Sequence, residues 1–129
     1  DTTLLRKIGN RMGVQEKRLG IHYSFSPVLD INTNPNNPII GNRSFGSSYN
    51  RVSKQALAIM KGHHEAGILT SGKHFPGHGD TSQDSHKTLP TVNFSSERIK
   101  KIELAPFRKL ISAGLSSVMV APFRHTKYF

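Results

Sequence analysis

The chain has no cysteine among its 129 residues, which excludes disulfides and thiolate chemistry and is compatible with either redox compartment. It also lacks any run near the roughly 20 consecutive apolar residues of a membrane span, so no membrane span is expected. No charged-then-apolar leader is visible. Because the first residue is Asp1 rather than Met, that leaves the compartment open, whether cytoplasmic or periplasmic/secreted. Acid is scarce as well: 8 Asp and Glu stand against 18 Lys and Arg, a formal net charge of +10. Such an excess raises the question of nucleic acid, yet the basic residues run from Arg6 to Lys127 with no aromatic residues interleaved as a base-stacking surface needs. The densest cluster, Arg98, Lys100 and Lys101, falls in a helical pattern and reads as a solvated face. No nucleic-acid partner is expected. The length suits one modest domain with a core of its own.

What is present is an alternation of elements. Residues 2 to 19 place Leu5, Ile8, Met12 and Leu19 close to a helical stripe, with Gly20 as a stop. IHYSFSPVLDI, Ile21 to Ile31, reads as a strand ending in polar chemistry at Asp30. A turn-rich segment rich in Asn and Pro follows. Ser47 or Ser48 then caps a second helix whose Val52, Ala56, Ile59 and His63 share a face, with Gly67 past its end. ILTSG, Ile68 to Gly72, is a short strand. After a long connection, a third helical stretch starts near Ser95 or Ser96. Pro106 suits the first turn of a second piece, APFRKLISAG, and Gly114 ends it. SSVMVA is an apolar strand. Strands separated by single helices predict crossover connections and a parallel sheet. In such folds sites form at the C-terminal ends of the strands, where Asp30, Lys73 and His74 fall. The long loops, 32 to 47 and 74 to 94, also follow strands, which marks the same end of the sheet as the active face.

KHFPGHGDTSQDSH, Lys73 to His86, concentrates three histidines, two aspartates and a lysine in a connection of about twenty residues, a length that is usually functional or disordered. His74, His78, Asp80, Asp84 and His86 could be metal ligands by type, but no HxH or HExxH spacing occurs and the histidines are spread over a Gly- and Pro-containing loop. The bland alternative is a polar loop whose histidines bond backbone groups. Five titratable imidazole and carboxylate groups in one loop argue against it, and the third reading is proton-transfer catalysis. Asp84-Ser85-His86 sets a carboxylate two residues before an imidazole, close enough in a turned loop to orient it and raise its pKa. Alone, D-x-H recurs by chance.

KHFPGHGDTSQDSH followed by TLP resembles the signature of glycoside hydrolase family 3, in its bacterial β-N-acetylglucosaminidase branch. SFSPVLDINTNPNNPIIGNRSFG is similar to the preceding strand and loop of that family, and ELAPFRKLISAG with SSVMVA to the following helix and strand. The resemblance implies an α/β fold, a (β/α)₈ barrel, and a retaining hydrolase acting on terminal β-linked N-acetylglucosamine, typically in peptidoglycan fragments. It implies that His86 is the general acid/base, assisted by Asp84. It further implies that Lys73, His74 and Arg43 hold sugar hydroxyls and that Asp30 buttresses the substrate pocket. His78 and Asp80 shape the loop, and His63 and His64 are helix residues without a role. The implied partner is a carbohydrate; no cofactor, metal or obligate protein partner is implied.

The sequence also departs from that family. The nucleophilic aspartate of a T-D-D-like segment and the upstream D-Q-E-G-G-like segment have no counterpart here. About three βα units are present, whereas a closed barrel needs eight in typically about 250 residues. Residues 1 to 121 are therefore expected to be a central segment of the family's N-terminal barrel, and 122 to 129, PFRHTKYF, a divergent tail. On this reading the chain is a hexosaminidase segment, inactive when isolated. The alternatives are a non-catalytic truncated remnant, a sugar-binding segment, or, less favoured, a His/Asp metal-binding domain.

Overall fold

The computed structural model describes residues 1–80, 91–92, 95–121 and 124–125. In chain order the elements are α1 (Thr2–Arg18), β1 (Tyr23–Ser24), a 3₁₀ turn (Gly41–Arg43), α2 (Tyr49–Glu65), β2 (Leu69–Phe75), β3 (Thr91–Val92), α3 (Ser96–Arg98), a π turn (Ile99–Glu103), α4 (Leu104–Ser112), β4 (Ser117–Val120) and β5 (Arg124–His125). β1, β2 and β4 form a parallel sheet in the order β1-β2-β4, and β3 pairs with β5, also in parallel. Helices α2 and α4 supply the crossovers, as the alternating pattern requires.

The predicted strand Ile21–Ile31 is ladder-paired only at Tyr23–Ser24. Pro27 has no N–H to donate, so the regular ladder lapses there. The segment nevertheless keeps tracking β2: Ser26 and Pro27 carbonyls accept from Ser71 and Lys73, and Leu29 N–H donates to the Lys73 carbonyl at 2.6 Å. β2 in turn runs beyond the predicted Gly72 to Phe75, because β4 and the Val28 bridge continue to pair with it. Lys73 and His74 thus stand on the strand's end rather than in the loop.

One face of the sheet is packed. Leu29, Ala56, Met60, Phe107 and Leu110 form the buried cluster, with Phe75, Leu115 and Val118 against it, and Phe75 meets Phe107 edge-on at 5.2 Å. Along β2 side chains alternate between faces. Gly72 is placed against Leu29 and Leu115, while Ser71 belongs to a hydroxyl row across all three strands, in which Tyr23 bonds Ser117 and Ser117 donates to Ser71. Leu69 and Val120 are exposed.

The third helical stretch is one continuous rod rather than two pieces. Ser95 Oγ caps it by accepting from Arg98 N–H at 3.2 Å. The π turn at Ile99–Glu103 stands just ahead of Pro106, whose ring would clash with the carbonyl four residues back in a regular α-helix. At the start of α2, Ser48 occupies the cap position, but its hydroxyl makes no capping bond.

The α1 stripe is not the one the apolar spacing predicts. Ile8, Met12 and Leu19 are exposed, and Gly9 and Gly13 are buried against α2. The two helices meet through glycine because their backbones approach too closely for larger residues. A Cβ added at Gly62 would land on the Arg6 carbonyl oxygen and the Asn10 nitrogen. Gly62→Ala is therefore expected to be destabilising. Alanine returns about 1 kcal/mol of helix propensity, while prying two backbones apart costs about 1–3 kcal/mol or more. A lower urea midpoint at unchanged slope checks this; a raised midpoint would mean the helices separate freely. His63, expected to have no role, lies in the same interface. It is fully buried, with Nδ1 2.9 Å from the Ile59 carbonyl and Nε2 3.7 Å from Glu16 Oε2. Among the described residues no helix is long and apolar enough to cross a membrane.

Candidate active site

Asp30 ends the segment that tracks β2, and its carboxylate is completely buried. It accepts the His74 backbone N–H at 3.2 Å on both oxygens, the His78 N–H at 2.7 Å on Oδ1, and His74 Nδ1 at 2.6 Å on Oδ2. A carboxylate only accepts, so Nδ1 of His74 carries the proton. In the neutral ring Nε2 is then the acceptor. Asp30 thus fixes both the orientation and the tautomer of His74. Its oxygens are occupied by protein donors and have no exposed surface.

Lys73 is the neighbour of that imidazole on the same strand end. Its ammonium is held below the usual lysine range, first by burial and then by the Arg43 guanidinium, with Asp30 pulling the other way. Arg43 stands on the 3₁₀ turn, where its N–H donates to the Ile40 carbonyl at 2.8 Å and Nη1 to the Ile39 carbonyl at 3.2 Å. Of the site residues predicted from the sequence, Asp30, Lys73 and His74 are brought together at the strand ends, and Arg43 acts on Lys73 electrostatically from the 3₁₀ turn. Asp84 and His86 lie outside the described residues.

The loops around this cluster are built by asparagines, which the sequence reading took only as turn formers. Asn37 is buried; Oδ1 accepts from Ile39 and Ile40 N–H at 2.9 Å each, and Nδ2 donates to the His78 carbonyl at 2.8 Å. An N-P-N-N-P run that must fold back beneath a site is the signal that could have singled it out. His78 is also buried, its ring 6.3 Å from that of His74. Among the described residues no three His, Asp or Glu side chains converge as metal ligands would. Chemically, the arrangement offers two cationic donors and an oriented imidazole whose free Nε2 accepts, a set suited to hydroxyl groups, which both donate and accept.

The model of the glycosyl hydrolase family 3 N-terminal domain matches residues 1–128. The chain belongs to glycosyl hydrolase family 3. It is 44% identical over 108 residues to Beta-hexosaminidase A of Pseudoalteromonas piscicida, which covers 84% of this chain and 18% of that protein. It is 42% identical over 127 residues to the Beta-hexosaminidase of Tolumonas auensis, covering 98% of this chain and 37% of that protein. Among solved structures, a family 3 β-N-acetylglucosaminidase from Paenibacillus sp. str. FPU-7 superposes with a TM-score of 0.94 at 43% identity, over 97% of this chain and 24% of that one. NagZ from Neisseria gonorrhoeae, solved with N-trifluoroacetyl-D-glucosamine, superposes with a TM-score of 0.88 at 39% identity, over 93% of this chain and 35% of that one. The chain therefore spans only a fifth to about a third of the length of these relatives. Within family 3 its three parallel strands and covering helices are part of a (β/α)₈ barrel, and Asp30, Lys73 and His74 stand at the strands' C-terminal ends, where barrel active sites are built.

Proposed function

We propose that this chain is the sugar-holding and proton-transferring segment of a retaining β-N-acetylhexosaminidase that removes terminal β-linked N-acetylglucosamine, as from peptidoglycan fragments. The observation that carries the reading is the clamp of Asp30 on His74 beside the Lys73–Arg43 pair. It gathers charged donors for sugar oxygens at the strand ends of a family 3 barrel. Arg43, Lys73 and His74 hold the hydroxyls, His86 moves the proton, and Asp84 orients His86. Retention also needs a nucleophile on the far side of the anomeric carbon, about 5–5.5 Å from the acid when both are carboxylates. Asp30 cannot serve, because its carboxylate is buried and committed to His74 and His78. The nucleophile is then supplied by barrel strands beyond this segment, and the 129 residues alone are expected to show no turnover.

The test is to exchange this segment for its counterpart in the gonococcal NagZ. The chimera is expected to release N-acetylglucosamine from an aryl glycoside. Lys73→Ala in it should lower kcat/KM by roughly ten- to a hundredfold, since a hydrogen bond from a charged donor is worth about 1.5–3 kcal/mol. A folded chimera that binds the sugar but never cleaves it would favour a sugar-binding segment. An unchanged kcat/KM in Lys73→Ala would remove Lys73 from the site.

A further inference from the structure

We propose that Arg98 is a positioning residue of this site, holding His74 in place through Asp80 and Asp30. The sequence makes Arg98 part of a solvated basic face with Lys100 and Lys101, but the structure turns it inward. Its Nη2 stands 3.5 Å from Glu103 Oε1 and 3.9 Å from Asp80 Oδ1. Lys100 and Lys101, by contrast, are exposed. Arg98 is thus a cation set between two carboxylates that belong to different parts of the chain, one on the π turn and one in the segment after β2.

From Asp80 the contacts run without a gap to the site. Asp80 Oδ1 also accepts from Thr33 Oγ1 at 2.6 Å, and its carbonyl accepts from Asn34 Nδ2 at 3.4 Å. Gly79, next to it, is pressed on the backbone of Ile31 so closely that no side chain would fit. His78 follows, with its carbonyl on Asn37 and its N–H on Asp30 Oδ1, and the other oxygen of Asp30 holds His74 Nδ1. On the opposite side, a Cβ at Gly77 would meet the Cβ and Cγ of Glu103 at 3.0 and 3.1 Å. Residues 77 to 80 are therefore held between the loop after β1 and the π turn, and Arg98 is the charge that makes the π-turn side attractive.

Without Arg98, Asp80 faces a buried carboxylate. Burial raises the pKa of Glu103; Arg98 opposes that rise, and Asp80 adds to it. Losing the Arg98 charge removes the attraction that draws Asp80 toward the π turn and leaves it free to shift from Thr33. The His78 N–H would loosen from Asp30 with it. At 3.5 and 3.9 Å these two contacts are longer than good hydrogen bonds, so Arg98 acts on Asp80 and Glu103 by charge. Lysine at this position should then substitute in large part.

This inference deepens the hexosaminidase reading, but it is tested without sugar. Histidine-labelled protein is examined by long-range proton–nitrogen correlation, with His74 assigned by its loss in His74→Gln. The wild-type chain is expected to show His74 as the single Nδ1–H tautomer. Arg98→Met should give a mixture of both tautomers, Asp80→Asn should do the same, and the double variant should be no worse than either alone. Arg98→Lys should keep the single tautomer. Lys101→Met, which removes the same charge from the exposed face, should leave it unchanged. An unaltered tautomer in Arg98→Met, or an equal change in Lys101→Met, would overturn the proposal. So would a mixed tautomer in the wild-type chain. If Arg98→Met does not fold, Asp80→Asn and Arg98→Lys decide the matter by the same readout. Failure of the hexosaminidase reading would look different: the tautomer pattern would stand as described while the chimera cleaves nothing.

Discussion

Asp30→Ala is expected to destabilise the chain by about 3–5 kcal/mol, the range found when one partner of a buried charged network is removed. The carboxylate is fully buried and is shared by two backbone N–H groups and one ring N–H. Each donor left without an acceptor in the interior costs about 1–3 kcal/mol. Relief from burying a charge works the other way. It offsets part of that loss. Asp30→Asn should fall between wild type and alanine. One amide oxygen still accepts, but the amide nitrogen now points a donor at donors. The Asp30 carbonyl bond to Ser44 Oγ at 2.6 Å survives both changes, so the strand end itself should persist. Urea unfolding at constant slope gives the measurement. A loss below about 1 kcal/mol in Asp30→Ala would mean that water replaces the carboxylate, and that the clamp on His74 is not built into the fold.

That clamp shows what could be read from the chain and what could not. The order of helices and strands was legible because each helix carries its own punctuation, from the Ser95 cap to Gly114, and parallel pairing follows from the alternation. The lengths of the strands were not legible. Whether Pro27 ends β1, and whether β2 runs on through Lys73 and His74, depends on carbonyls and N–H groups offered by neighbours distant in sequence. The face of α1 was misread for a related reason. Apolar spacing favoured Ile8 and Met12, but Gly9 and Gly13 let α2 approach, and close backbone contact outweighed the apolar stripe.

At the site, place after strands singled out Asp30, Lys73 and His74, while Arg43 entered only through the resemblance to family 3. The division of labour among them was not legible. Only the buried bond to Asp30 Oδ2 shows which imidazole nitrogen of His74 carries the proton. Only the folded chain shows that the Arg43 charge acts on Lys73. Arg98 is the opposite case. It sits in a run of basic residues with nothing local to distinguish it from Lys100 and Lys101, and its inward turn depends on carboxylates at positions 80 and 103.

The largest effect on activity is expected at His86. In an enzyme completed with the remaining barrel strands, His86→Ala should lower kcat/KM for an unactivated glycoside by about 10²–10⁴, the usual contribution of a positioned acid or base. Such a substrate expels an alkoxide, so the first step stalls without a proton donor. An activated aryl glycoside leaves without help, and kcat/KM, which reports the route to the first irreversible step, should be nearly spared. Its kcat should still fall, because the same imidazole must then act as base for the water that releases the sugar from the nucleophile. The glycosyl-enzyme would accumulate, giving a burst of phenol equal to the enzyme concentration. Azide needs no base and should restore turnover by yielding the glycosyl azide. Asp84→Ala should show the same pattern more mildly, since it removes the partner of the imidazole and not the imidazole itself. Equal losses of kcat/KM for both leaving groups, with no burst and no rescue by azide, would make His86 a binding residue. The proton would then have to come from elsewhere in the barrel.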